Sequence, residues 1–277
     1  MIKDVQEYKN DQLPADVQVI RDIEYGKAAD VSLKLNVMRP NAPGKDKLPA
    51  LVWIHGGGWV GGNKDDATGL LSAFAQQGYV CVSVEYRFAD VATFPAQIQD
   101  CKAAIRFLRA HAEEYGLDAQ RIGVWGDSAG GQLVALLGTS GGVAELEGDS
   151  GNQEQSSAVQ AVCDWYGPVG YAKGTLTKDN AVSVMLGGTP QDNREQARLS
   201  DPMSFIDGQD PPFLIMHGDK DNLVPLQLSQ QFERALREAK VDVTLDVIPG
   251  AGHGDGFWGV PGIYGKVLAF FDKTLKK

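Results

Sequence analysis

A short β-branched run, Arg121 to Trp125, passes without a spacer into Gly126-Asp-Ser-Ala-Gly-Gly131 and then into a helical pattern through about Leu137. A strand that turns at once into a helix through a glycine-flanked serine leaves the chain little freedom. The strand belongs inside a sheet, and the helix must fold back onto it. The same alternation runs along the whole chain. Val17 to Tyr25 and Ser32 to Met38 alternate apolar and polar residues, as in an antiparallel opening hairpin punctuated at Asn41–Gly44. Ala50 to His55 and Tyr79 to Tyr86 are continuous apolar runs, as expected of strands buried on both faces. Val159 to Tyr166, Pro212 to Met216 and Val241 to Ile248 read as further strands.

Helical patterns interleave with these strands. They fall at about Asp65 to Gln77, Pro95 to Ala110, Pro225 to Ala239 and Ile263 to Leu275. The expectation is an α/β fold with about eight strands in a mostly parallel sheet and helices on both faces. Residues 1–277 read as one domain. Residues 168–210 are less regular, interrupted by Gly187-Gly188 and Pro190, and are expected to be a small cap inserted within it. The Gly-, Ser- and Glu-rich stretch Gly141 to Ser157 reads as a surface loop.

Composition narrows the partners. With 36 acidic and 26 basic residues the net charge is −10, which disfavours nucleic acid and anionic membrane. No apolar run approaches the ~20 residues of a membrane span. Met1 to Asn10 is polar and shows no signal-peptide core, so a cytoplasmic location is expected, with a trimmed export signal left open. Cys81, Cys101 and Cys163 show no metal or redox spacing. Cys81 and Cys163 lie in apolar runs and read as buried free thiols in a reducing compartment.

The chemistry concentrates in four segments. Gly126-Asp127-Ser128-Ala129-Gly130 puts a serine on a strand-to-helix turn so tight that only small neighbours let the chains pass, with the helix N-terminus aimed at the reacting oxygen. A serine needs a base, and four histidines are available. His111 precedes Glu113-Glu114 and is expected to face solvent. His55 and His217 each end an apolar strand before a glycine and are expected to hydrogen-bond nearby backbone. His253 lies in a flexible glycine-rich loop after the last strand, which makes it the candidate base. Between the serine and this histidine, the loop His217-Gly-Asp-Lys-Asp-Asn-Leu-Val-Pro225 offers two acids, Asp219 and Asp221. His55-Gly56-Gly57-Gly58-Trp59 would bring bare backbone N–H groups up to an oxyanion, with Gly57, Gly58 and Ala129 as the donors. No lysine-serine/threonine pair follows these glycines and no GxGxxG opens a helix, so nucleotide binding is not expected.

Together, HGGGW at 55–59, GDSAGG at 126–131, HGDKDNLVP at 217–225 and GAGHGDGF at 250–257 resemble the α/β-hydrolase esterases. Glu85-Tyr86-Arg87 with Phe94-Pro95-Ala96 and Asp100 is similar to the hormone-sensitive-lipase-like branch. Asp164-Trp165-Tyr166-Gly167-Pro168, Leu186-Gly187-Gly188 and Pro211-Pro212-Phe213-Leu214-Ile215 look closer to the BD-FAE-type feruloyl and carbohydrate esterases. The Asp-Pro-Leu-x-Asp element of the lipase-like branch is absent, which favours the second branch. The pattern HGxxDxxVP of these hydrolases places its acid on Asp221, leaving Asp219 as a turn-forming side chain. The resemblance, over residues 20 to 275, implies the α/β-hydrolase fold and hydrolysis of carboxylic esters through an acyl-enzyme, and Trp59 after the glycine loop with Trp258 after the base leads to an expected preference for short-chain or aromatic acyl groups. It implies Ser128 as nucleophile, His253 as base, Asp221 as orienting acid, and no metal or organic cofactor. Trp59 and Trp258 are expected to line the substrate pocket. The expected partner is a small-molecule ester, with no nucleic acid and no membrane, and a homodimer stays open. An aryl-formamidase shares this machinery, and a non-catalytic binding protein would have lost part of it.

Overall fold

A computed structural model of the protein describes residues 5, 7–10, 12–42, 44, 46–174 and 176–276. The polar start and the turn at Asn41–Gly44 lie partly outside them. Among the described residues eight strands form one sheet in the order β1-β2-β4-β3-β5-β6-β7-β8. They are β1 (Val17–Ala28), β2 (Val31–Pro40), β3 (Leu48–Ile54), β4 (Val80–Val84), β5 (Leu117–Asp127), β6 (Ala161–Trp165), β7 (Phe213–Gly218) and β8 (Val243–Ile248). β1 runs antiparallel to β2 and β2 antiparallel to β4. From β4 through β3 to β8 every pairing is parallel.

The longer helices are α1 (Thr68–Ala75), α2 (Ala96–Ala110), α4 (Ala129–Thr139), α7 (Leu226–Glu238) and α9 (Ile263–Leu275). The shorter ones are α3 (Ala112–Tyr115), α5 (Ala181–Leu186), α6 (Arg194–Ser200) and α8 (Asp255–Trp258). α5 and α6 both fall within residues 168–210, between β6 and β7. No helix among the described residues is long and apolar enough to cross a membrane.

The unbroken apolar runs have a simple origin. Side chains of a strand alternate between faces, and here both faces are covered. Leu51, Cys81, Trp125 and Cys163 enter one core with α1 and α9. Their neighbours Val52, Val82, Val124 and Val162 enter the other, with α2, α4 and α7. All three cysteines are free and buried.

Gly141 to Ser157 is a mostly exposed loop, as expected, and it also covers the polar side of α2. Lys102 and Arg106 are buried to within 1% of full burial. Lys102 Nζ donates to Ser140 O at 2.7 Å and Glu147 Oε1 at 2.8 Å, and Arg106 Nη1 reaches Glu147 Oε2 at 2.9 Å. Arg109 donates to the carbonyls of Ser156 and Ala158. The loop's glycines and serines let it follow the helix closely, and its carbonyls satisfy cations that would otherwise be buried unpaired.

Candidate active site

Parallel strands deliver their following loops to one edge of the sheet, and every segment singled out for chemistry emerges there. Ile54, Gly126 and Asp164 lie in register near that edge, and the next turns begin just beyond them.

The turn between β5 and α4 is the tightest of these. Ser128 adopts φ 53°, ψ −118°, a conformation rare for any residue with a side chain. Its N–H donates to Trp165 O at 2.8 Å. A Cβ on Gly126 would sit 2.6 Å from Gly130 O, and one on Gly130 would sit 2.0 Å from Ile54 O. The motif's glycines are therefore required by backbone passing backbone.

Ser128, His253 and Asp221 come together across 125 and 32 residues of chain. His253 Nε2 is 2.8 Å from Ser128 Oγ, and Nδ1 is 2.7 Å from Asp221 Oδ2. The other carboxylate oxygen of Asp221 accepts the N–H groups of Leu223 at 2.9 Å and Val224 at 2.8 Å. Burial alone would raise this carboxyl, but hydrogen bonds from His217 and His253, together with the two backbone N–H groups, hold it well below the usual carboxylate range. Asp219 takes no part in this row. Its Oδ1 accepts the N–H of Gly250 at 2.7 Å, so it braces the loop after β8 instead of bonding its own turn.

The Gly-rich loop after β3 bends through three consecutive positive φ values, 107° at Gly57, 61° at Gly58 and 60° at Trp59. A Cβ on Gly57 would meet Gly61 O at 2.2 Å. Among the described residues, the N–H groups of Gly57, Gly58 and Ala129 have no hydrogen-bond acceptor. His55 behaves as expected. Its Nδ1 lies 2.8 Å from Gly56 O, Tyr86 Oη donates to His55 O at 3.0 Å, and burial lowers its pKa. His111 pairs with Glu114 Oε2 at 3.0 Å on the surface.

Two cavities flank this loop. One, of about 420 Å³, is lined by Ser128, Ala129, Gly58 and Trp59. Tyr171, Leu176, Asp179, Asn180 and Val182 from residues 168–210 line it together with Leu223, Val224 and Leu228. Trp59 is nearly fully buried there, and its Nε1 donates to Gln132 Oε1 at 3.1 Å. The other cavity, of about 380 Å³, is lined by Gly57, His55, Asp127, Trp53 and Trp258. Trp258 therefore does not line the chamber that opens on Ser128. Its ring packs edge-on against Trp53 at 5.4 Å and Trp165 at 5.1 Å, held in an aromatic cluster on the far side of the loop.

Three polar residues at the site escape a reading by motif alone. Asp127 Oδ1 accepts the Gly56 N–H at 2.8 Å and ties the glycine loop to the nucleophile turn. Burial pushes this carboxyl up to about 6, against the pull of the Gly56 N–H and of His253. Tyr166 places its ring 4.5 Å from the His253 ring. His217 reaches Asp221 Oδ2 at 3.2 Å, beyond the backbone contact expected of it. Each sits inside a quoted motif; closeness in sequence to a candidate catalytic residue could have found Asp127 and His217, whereas nothing in the sequence marks Tyr166. Among the described residues, no three His, Cys, Asp or Glu side chains are grouped to hold a metal ion.

The family model BD-FAE matches residues 35–236. Esterase LipQ of Mycobacterium tuberculosis is 32% identical over 84% of this chain and 56% of its own length. Esterase LipC of the same organism is 32% identical over 84% and 59%. The chain thus spans a little over half the length of these curated relatives. A truncated carbohydrate esterase from gut microbiota superposes with a TM-score of 0.85 at 30% identity, covering 98% of this chain and 100% of that one. Propionate-bound esterase 2 of Thermogutta terrifontis superposes with a TM-score of 0.76 at 28% identity, covering 94% and 93%. Since the family match takes in most of the sheet and the nucleophile turn, this chain belongs to the BD-FAE family of α/β-hydrolase esterases.

Proposed function

We propose that this chain is a serine carboxylesterase that cleaves short-chain or aromatic esters of the acetyl or feruloyl type through an acyl-enzyme. The observation that carries the reading is the His253 ring, bonded to Ser128 Oγ on one side and Asp221 on the other. In this reading Ser128 Oγ attacks the ester carbon as its proton passes to His253 Nε2. The developing oxyanion takes the N–H groups of Gly57, Gly58 and Ala129, each worth about 3 kcal/mol of barrier. Asp221 fixes the imidazole tautomer and stabilises the cation. His253 returns the proton to the leaving alcohol, and water releases the acid by the same route in reverse.

The chamber supports the substrate class. A volume of about 420 Å³ walled by Trp59, Tyr171, Leu176 and Leu228 suits a small acyl or phenyl group and carries no cation. Residues 168–210 act in this reading as the small cap, with Tyr171, Leu176 and Val182 over Ser128. Solved relatives include the gut carbohydrate esterase and propionate- and butyrate-bound forms of the Thermogutta enzyme.

The test is a panel of acetyl, butyryl, octanoyl and feruloyl esters with N-formylkynurenine, run beside Ser128→Ala. We expect the highest kcat/KM on acetyl, butyryl or feruloyl esters, and a loss of at least about 10⁴-fold in Ser128→Ala. An optimum at octanoyl would refute the substrate class. Faster turnover of the formamide would replace the ester reading, and an active Ser128→Ala would remove the mechanism.

A further inference from the structure

The acid loop holds a second imidazole that this mechanism leaves idle. His217 lies near the end of β7 and is fully buried. Its Nε2 is 2.9 Å from Val224 O and 3.2 Å from Asp221 Oδ2. A carbonyl can only accept, so Nε2 carries a proton and donates it to Val224 O, with Asp221 Oδ2 in polar contact beside that N–H. Nδ1 lies 2.7 Å from Ser229 Oγ on α7. In the neutral ring that nitrogen accepts, so the Ser229 hydroxyl donates to it. The direction of donation thus runs from Ser229 through His217 to Val224 O, and the same N–H lies 3.2 Å from Asp221 Oδ2.

The oxygen that His217 touches is also the one that bonds His253 Nδ1. Both imidazoles approach this oxygen, His253 in a hydrogen bond and His217 in polar contact, while backbone N–H groups hold the other oxygen. We propose that His217 is a positioning residue for the reaction, its Nε2–H fixing Asp221 Oδ2 against His253 and tempering how strongly that carboxylate holds the imidazolium. This rests on the reading of Ser128, Asp221 and His253 given above. A merely structural His217 would secure the turn through Val224 O and leave the base untouched.

The sign of the effect follows. Without the His217 donor, Asp221 becomes a stronger acceptor and stabilises protonated His253 further. The acid limb of the kcat/KM profile then moves to higher pH. Other groups face this row, namely Asp127 and Tyr166 beside His253, and Asp164 on β6 beside His217. All of them are present in every variant, so the difference between variant and parent isolates the imidazole.

The experiment compares His217→Leu, His217→Gln, Ser229→Ala and Asp221→Asn on nitrophenyl acetate. It records kcat, KM, the pH profile and the melting curve. His217→Leu should lose roughly 10- to 100-fold in kcat, the loss of one hydrogen bond to a charged group. KM should stay within about twofold, and the acid limb should rise by about half a pH unit. His217→Gln, which keeps an N–H donor, should recover most of kcat. A folded His217→Leu with parental kcat and an unmoved limb overturns the proposal, as does a Gln variant equally impaired with no limb shift. Should His217→Leu not fold, Ser229→Ala decides: a limb displaced in the same direction supports the proposal, and an unchanged profile overturns it. Full activity in Asp221→Asn would instead bring down the underlying reading of the acid.

Discussion

Asp164 is a carboxyl group sealed beneath the nucleophile turn. It is fully buried, its Oδ1 accepts the Gly167 N–H at 2.9 Å, and its Oδ2 has no hydrogen-bond partner among the described residues. Burial pushes it up to about 7. From about pH 4 to 7 the folded chain therefore keeps a proton that the unfolded chain has released, so stability falls as pH rises through that window. The full cost above it is about 4 kcal/mol. Asp164→Asn should flatten this slope, gaining stability relative to the parent between pH 5 and pH 8 in urea unfolding. Parallel pH dependences would show that Asp164 titrates normally. The same scale explains what was legible beforehand. Ser128, His253 and the glycines of 56–58 declare themselves through local spacing. Local spacing alone leaves Asp219 and Asp221 open, because two carboxylates two residues apart differ only in which loop each reaches, and it is the family pattern HGxxDxxVP that selects Asp221. Asp221 points to His253, and Asp219 to the Gly250 N–H.

Among the elements, the crossing of β3, β5 and α4 is the least forgiving. Gly130 passes so close to Ile54 O that Gly130→Ala should destabilise by at least about 1–3 kcal/mol, as overpacking does. Its urea midpoint should fall, and its esterase activity should fall further, because the turn at Ser128 must open to admit the methyl. A parental midpoint would mean that the turn relaxes more freely than its contacts indicate. The strands were readable because burial on both faces leaves a continuous apolar signature. The short helices α3 and α8 were not, since a single turn offers no period to detect. Nor was the burial of Lys102 and Arg106, since amphipathic spacing locates an apolar side without saying what covers the other.

Across the whole molecule, the glycine loop divides two cavities, one lined by Trp59 and the other by Trp53 and Trp258. Trp59 lines the cavity that holds Ser128, whereas Trp258 lines the other and packs against Trp53 and Trp165. Leu228→Ala should widen the reaction chamber and raise hexanoyl over acetyl selectivity roughly tenfold. Trp258→Ala should lower the melting temperature through its lost aromatic contacts while leaving selectivity unchanged. Assays of both variants on an acyl-length series check the pair, and a selectivity change in Trp258→Ala would reunite the two cavities. One domain-wide sheet makes this division workable, because strands distant in sequence end side by side and each contributes one loop to a shared rim.

Residue 128 is wound against its own handedness, at φ 53° and ψ −118°. Any L-residue with a Cβ feels that torsion, of order 1–3 kcal/mol, and glycine alone escapes it. Glycine, however, brings no hydroxyl. Repose and reactivity are thus mutually exclusive at this position, and no substitution that keeps a side chain there can anneal the tension out. The surrounding chain must hold the spring compressed for as long as the protein is to react.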